Sequence, residues 1–376
     1  MSRQILIVPD KFKGTLTAAE AAEAIATGWA AAWPGDHLEQ LPMSDGGDGF
    51  GDVMAASLGI GERLFPGADA AGRERDIPCW LNEECDQAVV ETAQSNGLVL
   101  LPRGRFHPFE LDTFGVGQLL IQLGQAGVKT CIAGIGGSAT NDAGFGMARA
   151  LGWRFFDEDG QEIQQWIQLD NLASITQPKS GAWPSVTVAS DVTNPLLGPD
   201  GATRVYGPQK GMREEDFAKT DACFNRLAMI TAETIGTDFA ITPGAGAAGG
   251  LGYGLMAFAR ADVQSGFEVF AESTSLESRI ANADLVITAE GAIDEQTLMG
   301  KGTGQVAQLS ERLAKPCVGL AGQLALGQAE RAASANPFHQ LAAVAPDLAT
   351  EQESMADSAN WLERLARRLA KDLPPS

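Results

Sequence analysis

Histidine is scarce in this chain: His37, His107 and His339 are the whole complement, far apart and in unlike contexts. That argues against a metal site built on imidazoles. It also argues against a Ser-His-Asp triad, for which the chain has no Gly-x-Ser-x-Gly elbow. Cysteine is sparse too. Cys79, Cys85, Cys131, Cys223 and Cys317 are odd in number and form no CxxC pair, which fits reduced thiols in a cytoplasmic protein and not a disulfide framework. Basic residues are in short supply, 27 against 48 acidic ones, for a net charge of −21. Nucleic-acid binding rests on clustered Lys and Arg, so no nucleic-acid partner is expected. A small anionic substrate is not excluded, because a few local cations and N–H groups can hold one. Long apolar runs are also missing. Ile5–Val8 is ended by Pro9-Asp10 and is too short for a signal peptide. No run approaches the ~20 residues of a membrane helix, so no membrane partner is expected.

What the chain does have is length and glycine. Its 376 residues allow two domains, since single cores seldom grow beyond ~250–300 residues. The 44 glycines show no collagen-like period. Ile5–Val8 reads as a buried strand, followed by the loop Pro9–Gly14. Thr17 and Glu20 then form a capping box for an Ala-rich helix closed by Pro34-Gly35. Leu38–Leu41 reads as a second strand and Phe50–Leu58 as a helix.

From about Glu62 the texture shifts to short runs, with Arg75–Leu81 and Ala88–Glu91 reading as antiparallel strands. A helix near Thr113–Gly124, a hairpin over Trp153–Ile163, a strand at Val186–Ala189 and a long helix ending near Thr231 follow. Strand–helix alternation returns with Asp284–Thr288, Cys317–Leu320 and Leu341–Val344, and the loop Ala289–Gly304 follows the first of these. A last helix carries Met355, Leu362, Leu365, Leu369 and Leu373 on one face, with Arg364, Arg367 and Arg368 on its solvated side. Sheet-forming texture at both ends predicts an α/β fold: a discontinuous parallel-sheet domain over 1–61 and 284–376, with a second α/β domain containing antiparallel strands inserted over 62–283.

The polar loops follow strands. Asp10 and Lys13 follow the first, Ser44–Asp48 the second, Glu290–Lys301 the Leu285 strand. In an open parallel sheet these carboxyl ends share one edge, where ligands bind. The richest loop, GIGGSATNDAGFGM over Gly134–Met147, joins a strand to a helix start. Its glycines admit positive φ and close approach of a ligand, and a turn feeding a helix N-terminus suits phosphate or carboxylate. Taken singly, each such loop is also an ordinary turn. Gly300-Lys301 is followed by Gly302, so no Walker A loop is present. Gly244–Gly249 matches the dinucleotide fingerprint literally, but a poor strand precedes it. Anion-friendly loops, several Asp residues and the loop lysines Lys13, Lys210 and Lys301 together suit phosphoryl transfer.

The stretches VPDKFKGTLTA, LPMSDGGDG, GIGGSATNDAGFGM, SDVTNPLLGPDGA with YGPQKG, TPGAGAAGGLG and DLVITAEGAIDEQTLMGKGTGQVA resemble, in order, those of the type-1 bacterial glycerate kinases. The likeness runs essentially end to end. Ala289, Thr303, Ser44 and Asp48 depart from the expected pattern by small or chemically similar changes.

The resemblance implies ATP-dependent phosphorylation of glycerate, with Mg2+ and ATP as cofactors. It also implies a Rossmann-like domain formed by both chain ends, and a site in the cleft between the domains. The 2-hydroxyl is the favoured acceptor, with the 3-hydroxyl left open. On this reading Asp191 is proton acceptor or Mg2+ ligand, with Asp45 and Asp294 as rivals. Lys13 or Lys301 stabilises charge on the transferred group or the glycerate carboxylate. Gly136, Gly137, Ser138, Thr140 and Asn141 hold phosphate or carboxylate, and Asp10, Asn194 and Glu290 complete the binding set. A kinase for another hydroxy acid, or a non-catalytic anion-binding regulator, remains an alternative. Monomer and homodimer both remain open.

Overall fold

The computed structural model describes residues 2–44, 46–47, 49–179, 181–300, 302–327 and 336–373. Asp45, Asp48 and Lys301 therefore lie outside the described residues. In chain order the strands are β1 Gln4–Pro9, β2 His37–Gln40, β3 Gly61–Ala68, β4 Glu74–Leu81, β5 Gln87–Glu91 and β6 Thr130–Gly134. They continue as β7 Arg154–Asp157, β8 Leu172–Thr176, β9 Ser185–Ala189, β10 Asp262–Gln264, β11 Leu285–Ile293, β12 Cys317–Leu324 and β13 Gln340–Ala345. The chain divides into two compact units, Met1–Ser44 with Phe267–Ser376, and Asp45–Gly266. The sequence reading placed 45–61 in the first unit and 267–283 in the second. In the structure, helix Phe50–Leu58 packs on β4 and β5, and helix Leu276–Asn282 on β1 and Thr303–Arg312.

The first unit holds one sheet in the order β13-β12-β11-β1-β2, and each pairing is parallel. Counted within the unit this is the doubly wound order 2-1-3-4-5, whose direction of growth reverses between β1 and β11. Both ends of the chain thus form one Rossmann-like sheet. Helix Ala18–Ala30 starts at the expected box: the Glu20 amide donates to Thr17 Oγ1 at 3.2 Å and the Thr17 amide to Glu20 Oε2 at 2.8 Å. Its apolar face and that of helix Ser358–Asp372 cover Ile5, Ile7, Ile287 and Val318. Of the residues expected on the last helix, Leu362, Leu365 and Leu369 are buried as predicted. Met355 is exposed and belongs to a separate helix, Glu351–Ala356. The last helix begins only at Ser358, because Asp357 leaves helical geometry with φ −144° and ψ 54°.

The second unit carries a sheet in the order β10-β9-β6-β5-β4-β3 and a separate β7-β8 pair. The strands β10, β9, β6 and β5 run parallel. β4 and β5 are antiparallel, as expected, only at Trp80↔Val89 and Leu81↔Ala88. The main partner of β4 is β3, an edge strand whose mostly exposed residues carry no apolar alternation. The hairpin expected over 153–163 is a single bridge, Phe156↔Glu162, and β7 pairs instead with β8. The expected loop Ala289–Gly304 also differs. Pairing of β11 with β12 continues to Ile293↔Leu324, so Glu290 is a strand residue. The five cysteines are free thiols. Among the described residues no helix is long and apolar enough to cross a membrane.

Candidate functional site

In the first unit the family stretches at the two ends of the chain are brought together by the β1–β11 pair, at the point where the sheet order reverses. Asp10 follows Pro9, and its amide donates to the Ala289 carbonyl at 2.8 Å. Its Oδ1 accepts the Lys11 amide at 2.7 Å. Glu290 lies within β11, one residue beyond the last pairing with β1 at Pro9↔Ala289. Its Oε1 accepts the Thr297 hydroxyl at 2.9 Å and also the Thr303 hydroxyl. A Cβ on Gly302 would lie 3.8 Å from Glu290 Oε2 and 3.9 Å from Asp10 Oδ2, so the two carboxylates converge on that glycine. Burial, and then the nearby charges of Asp10 and Asp294, push the Glu290 carboxyl up to about 7, against the lowering effect of the two threonine hydroxyls.

Asp294 is the N-cap of helix Glu295–Leu298: its Oδ1 accepts the Gln296 and Thr297 amides at 2.8 and 3.2 Å. That is the commonest task of an Asp at a helix start, and it ties up one of the oxygens expected to bind substrate. Lys13 is exposed, in a turn closed by the Phe12 amide and Leu16 carbonyl at 2.9 Å.

In the second unit the remaining family stretches meet around the Gly134–Met147 loop. The Gly136 amide, expected to hold an anion, instead donates to the Gly46 carbonyl at 3.3 Å. The amides of Gly137 and Ser138 meet no acceptor among the described residues. Both residues line a cavity of about 510 Å3 that also includes Glu91, Tyr206 and Lys210. Glu91 closes the β5 end of this edge, where its carboxylate accepts the Gly49 and Gly51 amides, both at 3.2 Å.

Thr140 and Asn141 are fully buried, so they shape the loop from inside it. Thr140 Oγ1 accepts from Asn96 Nδ2 at 3.2 Å, whereas the Asn141 side-chain amide finds no partner among the described residues. The side chain of Lys210 enters beneath the loop, and its ammonium donates to Ser138 Oγ at 2.7 Å and to the Thr140 carbonyl at 2.8 Å. Burial lowers its pKa to about 7, against the upward pull of Asp142.

Asp142 is itself buried. It accepts the Thr113 amide and hydroxyl at 2.9 and 2.8 Å, and the Gly144 and Gly146 amides at 3.2 and 2.9 Å. Burial and the neighbouring Asp112 nonetheless raise its carboxyl to about 6. The TPGAGAAGGLG stretch seals the arrangement from the other side. Gly249 sits at φ +73°, where a Cβ would lie 2.0 Å from the Thr140 carbonyl oxygen and 2.8 Å from Lys210 Nζ, so only glycine fits.

Asp191 follows β9 on the same edge of the parallel strands as Glu91 and the glycine loop. It is exposed, and its Oδ1 accepts the Ser265 hydroxyl at 2.7 Å and the Gly266 amide at 3.0 Å. Asn194 is committed to local structure: its Oδ1 accepts the Tyr206 hydroxyl at 2.7 Å and its Nδ2 donates to the Asp200 carbonyl at 2.9 Å. Among the described residues no group of three or more His, Cys, Asp or Glu could hold a metal ion.

Sequence reasoning gave neither Lys210 nor Asp142 an individual role. A loop lysine reads as solvent-exposed until the chain that covers it is placed, and the main partner of Asp142 is Thr113, a distant residue on another loop. Membership of Lys210 in the YGPQKG stretch was the available signal.

Comparison with known proteins finds relatives along nearly the whole chain. The sequence model of the glycerate kinase family matches residues 5–374. The chain is 37% identical to a glycerate kinase of Halalkalibacterium halodurans over 370 residues, covering 97% of each chain. It is 37% identical to the glycerate 2-kinase of Escherichia coli over 327 residues, covering 85% of each. A solved structure from Salmonella typhimurium LT2, described as glycerate kinase 2, superposes with a TM-score of 0.85 at 34% identity, covering 99% of this chain and 98% of that one. The chain belongs to the glycerate kinase family.

Proposed function

We propose that this chain is a cytoplasmic ATP- and Mg2+-dependent kinase that phosphorylates glycerate at the 2-hydroxyl. The observation that carries this reading is the convergence of Asp10 and Glu290 at the reversal point of the first sheet, where open α/β sheets bind their ligands. The second unit adds the other groups that phosphoryl transfer asks for. The amides of Gly137 and Ser138 are donors for phosphate oxygens. Lys210 beneath them can add positive charge, and Asp191 at the end of β9 is an oxygen donor of the hard type that Mg2+ prefers. One carboxylate together with phosphate oxygens and water suits Mg2+, which keeps several of its waters. That requirement fits an exposed Asp191 even though the described residues hold no larger ligand cluster. When bound, the ion would offset negative charge on the transferring group.

Proton removal from the acceptor hydroxyl needs a carboxylate whose affinity for protons lies near working pH. Glu290, raised to about 7, meets that condition. Asp191 and Asp45 are the other candidate bases. The role proposed for Lys13 and Lys301 is to bind the glycerate carboxylate. The Escherichia coli relative's name, glycerate 2-kinase, favours the 2-position.

The test is ADP release from Mg-ATP with D-glycerate, with the product's phosphate position read by phosphorus NMR. The expected product is 2-phosphoglycerate. A 3-phosphoglycerate product corrects the position. Folded protein that shows no glycerate-dependent ADP release overturns the reading.

A further inference from the structure

The cavity beside the Gly136–Ser138 turn does not stand alone. A second one, about 960 Å3, lies against the segment 98–111, with Phe106, Arg103 and Arg105 in its wall. Leu98, Val99, Gln209 and Lys210 line both cavities, so the two form one groove on the second unit, with Leu98-Val99 as a ridge between them. Val99 is 91% exposed and Leu98 41%, an apolar ridge that the fold leaves uncovered.

The groove combines anion-binding groups at the turn with the apolar ridge and, beyond it, an aromatic ring among arginines. At the turn, the Gly137 and Ser138 amides lack acceptors among the described residues. Lys210 carries its ammonium with no ion-pair partner among those residues. Beyond the ridge, the Arg105 guanidinium lies 5.4 Å from the centroid of the Phe106 ring. Arg103 and Arg105 are exposed and make no ion pair among the described residues. The two carboxylates in the lining are already engaged, Glu91 by the Gly49 and Gly51 amides and Glu110 by the His107 amide at 2.7 Å.

A three-carbon hydroxy acid has almost no apolar surface and would leave most of this groove empty. A nucleoside triphosphate has the matching polarity: a flat apolar base and a polyanionic tail. We infer that the groove on the second unit is the nucleotide site of this chain. The base lies against the Leu98-Val99 ridge and Phe106, and the phosphates face the Gly137 and Ser138 amides and Lys210. Arg103 and Arg105 add positive potential at the rim, in a protein whose net charge of −21 would otherwise repel the ligand. The assignment rests on the kinase reading above, and it adds which unit and which residues take the nucleotide.

The experiment pairs equilibrium binding of adenylyl imidodiphosphate with Mg2+, by titration calorimetry, with separate KM values for ATP and D-glycerate. The variants are Val99→Glu, Arg105→Glu and Lys210→Met. The first two positions are exposed, so the fold should tolerate the changes. A thermal melt checks the third, and Lys210→Arg serves as its conservative partner.

The expected result is binding of the analogue weakened by about ten-fold or more in Val99→Glu and Arg105→Glu, the effect of placing a carboxylate against a bound polyanion. KM for ATP rises in step while KM for D-glycerate stays within about two-fold. In Lys210→Met, analogue binding is lost, and Lys210→Arg restores part of it.

A raised KM for D-glycerate with unchanged analogue binding would give the groove to the hydroxy acid and overturn the assignment. Unchanged binding of both in all variants would overturn it as well. Loss of analogue binding in Val99→Glu would still support it if the unmodified protein proved to lack glycerate-dependent ADP release, which separates this inference from the kinase reading. An unmodified protein that does not bind the analogue overturns the inference outright.

Discussion

At the scale of single residues, Glu290 gives the sharpest expectation. Its carboxyl is raised from 4.5 to about 7 in the folded protein. Between those values the native state holds a proton that the unfolded chain has released, so stability falls as pH rises from about 4.5 through 7. Glu290→Gln keeps an acceptor for the Thr297 and Thr303 hydroxyls and removes the ionisable group. The variant is therefore expected to be more stable than the parent at pH 8, by on the order of 2 kcal/mol, and indistinguishable from it near pH 4. Urea melts at both pH values check this. Equal differences at the two values would mean that Glu290 is not charged at a cost. The same variant should lose most turnover if Glu290 is the base. Asp10 was legible as a loop residue directly after β1, whereas Glu290 was singled out as a loop residue and lies within β11. Lys210 and Asp142 were less legible, because their environment is made by segments far away in the chain: burial and opposing charge are properties of the assembled loop and not of the local sequence.

At the scale of elements, close approach between helices decides more than propensity does. Gly28 sits within helix Ala18–Ala30, where a Cβ would lie 2.2 Å from the Glu363 carbonyl oxygen and 3.1 Å from Ala366 Cβ. Alanine is the better helix former by about 1 kcal/mol, so an isolated helix would gain from Gly28→Ala. In the folded chain the clash is with backbone and cannot be relieved by a side-chain rotation. The substitution is expected to destabilise by roughly 2 kcal/mol or more, as overpacked cores do, and a drop in Tm measured by circular dichroism checks it. An unchanged or raised Tm would mean that the two helices can separate at little cost.

The apolar spacing of the last helix announced its buried face, and the Thr17–Glu20 box announced the start of the first. β3 was not legible, because an edge strand with one partner needs no apolar alternation and its Pro66 and Gly67 read as turn residues. The pairing of β7 with β8 was missed for another reason. Local sequence favoured the near bridge at Glu162, whereas the ladder forms across the intervening segment 158–171.

At the scale of the whole molecule, no sheet is shared between the two units: β3–β10 lie within 45–266, and β1, β2 and β11–β13 lie outside it. The large apolar cluster around Phe145, Phe155, Trp166 and Phe258 is also confined to that span. The segment 45–266 expressed alone is therefore expected to unfold cooperatively with heat and to give a dispersed amide NMR spectrum. A broad, non-cooperative melt would show that it needs the rest of the chain. The α/β class and a parallel sheet made by both chain ends were legible from strand–helix alternation. Where the two units divide was not, since the helices at 50–58 and 276–282 are assigned only by what they pack against.

The placement of β1 has a consequence for biosynthesis. β1 is flanked by β2 and β11, and Ile5 is paired with Leu285. At ~5–20 residues per second, the ribosome delivers that partner roughly fifteen to sixty seconds after β1 has emerged. For that interval one side of a strand as apolar as Ile5-Leu6-Ile7-Val8 has its hydrogen-bonding groups unmatched, the condition that invites edge-to-edge aggregation. The second unit can complete itself during the wait. Newly made chains should therefore depend on a holding chaperone at their amino-terminal segment for as long as translation of the middle of the message lasts.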